Sequence, residues 1–107
     1  MQEEISDPTG FEAVLTEACW FHITERHPEM SEFKRLVVEA VRNPDGIYLG
    51  RRDPTRRIYR KKYASVPGIG NWLDVLVFVD KESGYVATSY FAAYSLRTLG
   101  QQIWPSS

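Results

Sequence analysis

Cysteine is nearly absent from this chain: Cys19 stands alone among 107 residues, so no internal disulfide can form and no cysteine-rich zinc site is available. It reads as a small buried apolar residue on a helix rather than as a nucleophile. Histidine is almost as scarce, with only His22 and His27. Their spacing is wrong for a helical metal pair and no acidic or cysteine cluster supports one, so neither a metal nor another cofactor is expected. No apolar run approaches the roughly 20 residues of a membrane-spanning helix. The opening Met1-Gln2-Glu3-Glu4 has neither the basic nor the apolar region of a secretory signal, which points to a cytoplasmic protein with no membrane partner. A dinucleotide loop is absent as well, since Gly68-Ile69-Gly70 lacks the third glycine and the strand-helix setting of one.

What is present is ordinary globular material, 43% hydrophobic and 25% charged. A chain of this length supports one core that buries about two-thirds of its surface. Residues 1–10 are polar with Pro8 and Gly10 and read as a flexible N-terminal arm, and residues 11–107 read as a single domain. The net charge of −1 conceals a segregation. Eight carboxylates lie within residues 1–32 against one base, Arg26, whereas residues 51–62 hold seven bases against Asp53 alone, a local charge of +6. Such a strip binds phosphates through guanidinium contacts and counterion release, or else it is a charged edge strand that pairs with the acidic half.

Local signals place these charges on elements. Residues 11–15 suit a short strand. Thr16 is an N-cap for a helix over residues 17–26, which Pro28 ends. Ser31 is expected to cap a second helix, whose Phe33, Leu36, Val37, Ala40 and Val41 fall on one face before Asn43-Pro44-Asp45-Gly46 stops it. The pattern then changes to β-branched and aromatic runs at 47–49, 57–63, 72–79 and 85–91, with a hairpin loop at 80–84. The unbroken apolar run 75–79 belongs at a sheet centre. The expected fold is α+β, with two N-terminal helices packed on one face of a four-stranded, mainly antiparallel sheet.

Imidazole is the side chain that titrates near neutral pH, so acid/base chemistry here concentrates on the first helix. Helical geometry puts Cys19, Trp20, Ile23, His27, His22 and Arg26 on about 160° of its surface with Ile23 central, so at most one histidine occupies the middle of a site. His22 and Arg26 are i, i+4 neighbours, and His27 suits a C-terminal cap. The final strand adds the hydroxyls of Thr88, Ser89 and Tyr90. Base, cations and hydroxyl donors are what metal-independent RNA cleavage requires. Trp72 and Trp104 either fill the core or serve a contact.

The segments Leu15-Thr16-Glu17-Ala18-Cys19-Trp20, His22-Ile23, Arg26-His27-Pro28-Glu29, Asn43-Pro44-Asp45, Arg57-Ile58-Tyr59-Arg60, 73–79 and Val86-Ala87-Thr88-Ser89-Tyr90 carry a resemblance. In order and spacing, over residues 14–104, the chain resembles the phage-associated branch of the barnase/EndoU/colicin/RelE-like nuclease superfamily. That resemblance implies a toxin-like or phage-effector ribonuclease that leaves a 2′,3′-cyclic phosphate, with RNA as substrate and an antitoxin or immunity protein as partner. It makes His22 or His27 the acid/base, an arginine of the third extended segment the phosphate stabiliser and Thr88 a polar contact, and Arg26 beside His22 is counted with them as a catalytic candidate. Arg57, Lys61, Lys62 and Tyr90 then bind substrate. Period-two alternation separates Arg57 from Arg60, so one of the two faces a cleft, and Arg60 is favoured. A sequence pI near 6.1 keeps a second reading open. In it, the same fold is a non-catalytic interaction domain that binds an acidic protein or nucleic acid through residues 51–62.

Overall fold

A computed structural model describes residues 2–93 and 97–105. Thr16, in extended backbone, accepts a 3.0 Å hydrogen bond from the Cys19 amide and opens helix α1 (Glu17–Arg26). The helix ends where the His27 amide donates to the Ile23 carbonyl, one residue before Pro28. Ser31 does not cap the next helix. Pro28 starts a 3₁₀ turn, Pro28–Glu32, in which the Ser31 hydroxyl donates to the Pro28 carbonyl at 2.7 Å. Helix α2 (Lys34–Arg42) then begins after Phe33 without a side-chain cap. Packing explains the shift, because the Phe33 ring meets Phe91 edge-on at 5.3 Å and the turn delivers it there.

Among the described residues seven strands follow along the chain: β1 (Gln2–Ser6), β2 (Glu12–Thr16), β3 (Gly46–Gly50), β4 (Arg56–Val66), β5 (Gly70–Asp80), β6 (Val86–Ala92) and β7 (Leu99–Trp104). The main sheet has five strands in the order β6-β5-β4-β3-β7, every neighbouring pair antiparallel, where four were expected. The added strand, β7, has a weak pattern, Leu-Gly-Gln-Gln-Ile-Trp, which sits at a sheet edge with two residues exposed.

The N-terminal residues, expected to be a loose arm, instead form β1 and pair with β2 from Gln2↔Thr16 to Ser6↔Glu12. The reason is Ile5, fully buried in the main core, with Asp7 buried behind it. The Val14 amide donates to the Gly84 carbonyl at 2.7 Å and so joins this small sheet to the large one.

The strand at the middle of the sheet is the basic β4, with the apolar β5 beside it, between β4 and β6. β5 is nevertheless covered on both faces. Val75, Val77 and Val79 enter the main core with Ile23, Val37, Val41 and Ile47, while Leu76 and Phe78 join a second, smaller cluster with Ile58, Tyr48, Tyr90 and Leu99. Both helices pack on the first face. The second face carries no helix among the described residues. Cys19 is half-buried against the main core, as is Trp104, whereas Trp72 is 77% exposed at the start of the apolar part of β5, with φ 56°. Among the described residues no helix is long and apolar enough to cross a membrane.

Candidate functional site

Strand alternation sorts the basic strip into two groups. On the helix side lie Arg57, Tyr59, Lys61 and Tyr63, and on the other Arg56, Ile58, Arg60 and Lys62. Cross-strand register then builds successive rungs on the helix-free face: Lys62, Asp74 and Ala92; Arg60, Leu76 and Tyr90; Ile58, Phe78 and Thr88.

Arg57, expected to bind substrate, is committed to the fold. Its guanidinium donates to Asp7 Oδ2 at 2.8 Å and to the Thr9 hydroxyl, and it stacks over the Phe11 ring at 4.5 Å. The buried Tyr59 hydroxyl donates to the same Asp7 oxygen. Burial by itself raises the Asp7 carboxyl, but the hydrogen bonds from Tyr59, Thr9 and Arg57 outweigh it and hold Asp7 below the usual carboxylate range. Burial, reinforced by Asp7, pushes the Tyr59 phenol up, so it remains a donor. Lys61 is likewise structural: its ammonium donates to the Asn43 carbonyl at the C-terminus of α2, where the helix dipole favours a cation. The Lys62 backbone amide donates to Asp45 while its side chain is exposed.

Arg60 lies on the helix-free face, with Nε donating to Asp74 Oδ2 at 2.8 Å. Burial lowers its guanidinium, and hydrogen bonds to Tyr48 and Asp74 more than reverse that, so the charge is firmly held. His27 reaches the same face from the end of α1. Its ring lies 5.2 Å from that of Tyr90, which in turn stacks on Phe78 at 5.4 Å. Glu29 Oε2 is 3.7 Å from His27 Nδ1, and Nε2 has no partner among the described residues. Thr88 is paired across the sheet with Phe78. His22 and Arg26 are exposed and make no hydrogen bond or ion pair among the described residues. Helical geometry sets them on the flank of Ile23 opposite His27. The structure thus sets Tyr90, Thr88 and Arg60 on one face of the sheet, with His27 against Tyr90, and places Arg57 and Lys61 on the other face and His22 and Arg26 on the far flank of α1.

Phe78 is also where the aromatic row meets a cavity of about 760 Å³. Ile58 and Phe78 form its floor, and Arg51, Arg52, Arg56 and Arg97 stand around it. Asp53, the one acid there, is engaged by the Thr55 amide and hydroxyl, whose hydrogen bonds hold its carboxyl low. Arg97 was not anticipated, since it lies far along the chain from the basic strip and only the pairing of β3 with β7 brings it there. Phe78 was anticipated only as core.

Among the described residues no group of three or more His, Cys, Asp or Glu side chains converges to hold a metal ion. Comparison with protein-family models, with curated proteins and with solved structures found no match to this chain.

Proposed function

We propose that the chain is a metal-independent ribonuclease whose substrate lies across the helix-free face of the sheet. One observation carries this reading: the His27, Tyr90 and Phe78 rings run in contact to the edge of a cavity surrounded by four arginines. An acid/base group and a cationic pocket on one face suit a polyanion with a proton to lose. His27 takes the proton of a ribose 2′-hydroxyl, that oxygen attacks the adjacent phosphorus, and the bond to the 5′-oxygen breaks. A 2′,3′-cyclic phosphate remains. The departing oxygen needs a proton, for which Tyr90 is the protic side chain in contact with His27, and Thr88 adds a hydroxyl on the next rung. The aromatic row gives bases a stacking surface, and the arginines hold flanking phosphates.

The Arg60–Asp74 pair favours a second reading, because a guanidinium already matched by a carboxylate is poorly placed to meet a phosphorane. In that reading the same face binds RNA or an acidic protein without cleaving it. Incubation with mixed RNA in excess EDTA separates the two. The ribonuclease reading expects cyclic-phosphate ends, a loss of roughly 100-fold or more in His27→Ala, and little change in His22→Ala. Equal cleavage by wild type and His27→Ala removes the mechanism. RNA retention without cleavage selects the second reading.

A further inference from the structure

The arginine cavity holds more positive charge than an internal phosphodiester needs. Four guanidinium groups surround it, Asp53 is turned to Thr55, and only Arg56 has a carboxylate as near as 4.0 Å. Arg51, Arg52 and Arg97 make no ion pair among the described residues. Like charges gathered without partners repel one another, and the apolar floor of Ile58 and Phe78 lowers the local dielectric and strengthens that repulsion. An anion bearing two or more charges relieves it.

The backbone beneath the arginines is also held in place before any ligand arrives. The Arg51 amide donates to the Thr98 carbonyl at 2.9 Å, the Arg56 amide to Asp53, and the Lys81 amide to Thr55, so the loop between β3 and β4 is tied to β7 and to the β5–β6 hairpin. Gly50 is required at the loop's entry, since a Cβ there would lie 2.3 Å from the Asp53 carbonyl oxygen. A backbone fixed in advance leaves the arginine side chains as the part to be ordered on binding. The cavity is far larger than one phosphate and falls within the roughly 300–1,000 Å³ of small-molecule sites.

We infer that this cavity binds a nucleoside 5′-diphosphate group through its linked phosphates, held among Arg51, Arg52, Arg56 and Arg97. The inference deepens the view of this face as a nucleic-acid surface, and the same chemistry is supplied by a free nucleotide or by the 5′-diphosphorylated end of an RNA.

The test is calorimetric titration of the whole protein with ADP, AMP and adenosine at low salt. Affinity should fall in that order, by about tenfold or more between ADP and AMP. Arg51→Gln and Arg97→Gln should each weaken ADP by roughly tenfold, as expected for loss of one charge-assisted contact. Arg35→Gln, an exposed arginine on α2, should leave binding intact, and circular dichroism of each variant confirms its fold. Short RNA oligomers identify the source: tighter binding of a 5′-diphosphorylated oligomer than of ADP assigns an RNA end, and equal binding assigns a free nucleotide. The inference fails if AMP binds as well as ADP, if ADP does not bind, if folded Arg51→Gln/Arg97→Gln keeps wild-type affinity, or if 5′-hydroxyl RNA binds as tightly as diphosphorylated RNA. Failure of the cleavage reading is recognised separately, because wild type would then give no cyclic-phosphate ends while ADP titration still follows the expected order, and His27→Ala should leave that titration unchanged.

Discussion

Replacing Asp7 with asparagine isolates what the N-terminal segment contributes. Asp7 Oδ1 accepts from the Thr9 amide and hydroxyl and from the Phe11 amide, and an amide oxygen can keep those contacts. Oδ2 accepts from Arg57 and Tyr59, and there the substitution sets an amide donor against two donors. Removing one member of a buried pair costs about 3–5 kcal/mol. The Arg57 side chain keeps 12% of its exposure, which favours the lower end, about 3 kcal/mol. At about 2.1 cal/mol/K per residue, 107 residues have an unfolding entropy of about 0.2 kcal/mol/K, so Tm should fall by roughly 13 °C at pH 7. The pH dependence follows from the direction of the Asp7 shift. Its folded pKa lies below the unfolded value, so its stabilisation is fully present above roughly pH 4 and is lost as pH falls through the folded pKa. Thermal melts followed by circular dichroism should show the gap between wild type and Asp7→Asn narrowing below that pH. A Tm drop of less than about 4 °C, or a gap constant to pH 2, refutes the account.

Three further outcomes follow from single features. Ile5→Ala should cost about 2–4 kcal/mol in urea unfolding, because β1 is part of the core; a loose arm would leave the midpoint unchanged. Thr16→Ala should cost about 1 kcal/mol through loss of the α1 cap, with no effect on nucleotide titration. Gly50→Ala should move the β3–β4 loop, costing about 1–3 kcal/mol and weakening ADP at least tenfold; unchanged affinity would mean that loop position is immaterial.

What was legible in the chain was whatever depends on near neighbours. Thr16, Glu17 and Pro28 bound α1 because capping and proline sterics act within a turn. Alternation along β4 separated Arg57 from Arg60, and these lie on opposite sides of the sheet. Pairings between distant segments were not legible. β1 is ordered by one buried apolar residue, Ile5, and the chain just after it is fastened by Asp7 meeting Arg57 fifty residues away. The Ser31 cap yielded to Phe33, whose place is set by Phe91. The arginine cavity depends on Arg97, which stands outside every local pattern and joins the strip only through the β3–β7 ladder. Alternation did not show what each member of the strip does: Arg57 and Lys61 fasten the helix side, Arg60 pairs with Asp74, and Arg51, Arg52 and Arg56 line the cavity.

That division makes the molecule an electrical dipole rather than a nearly neutral particle. The acid-rich β1, β2 and α1 lie on one side, Arg57 is paired with Asp7, and the arginines of the β3–β4 loop face away. A chain with net charge −1 should therefore be retained by a cation exchanger near neutral pH through one face, and approach a polyanion already oriented.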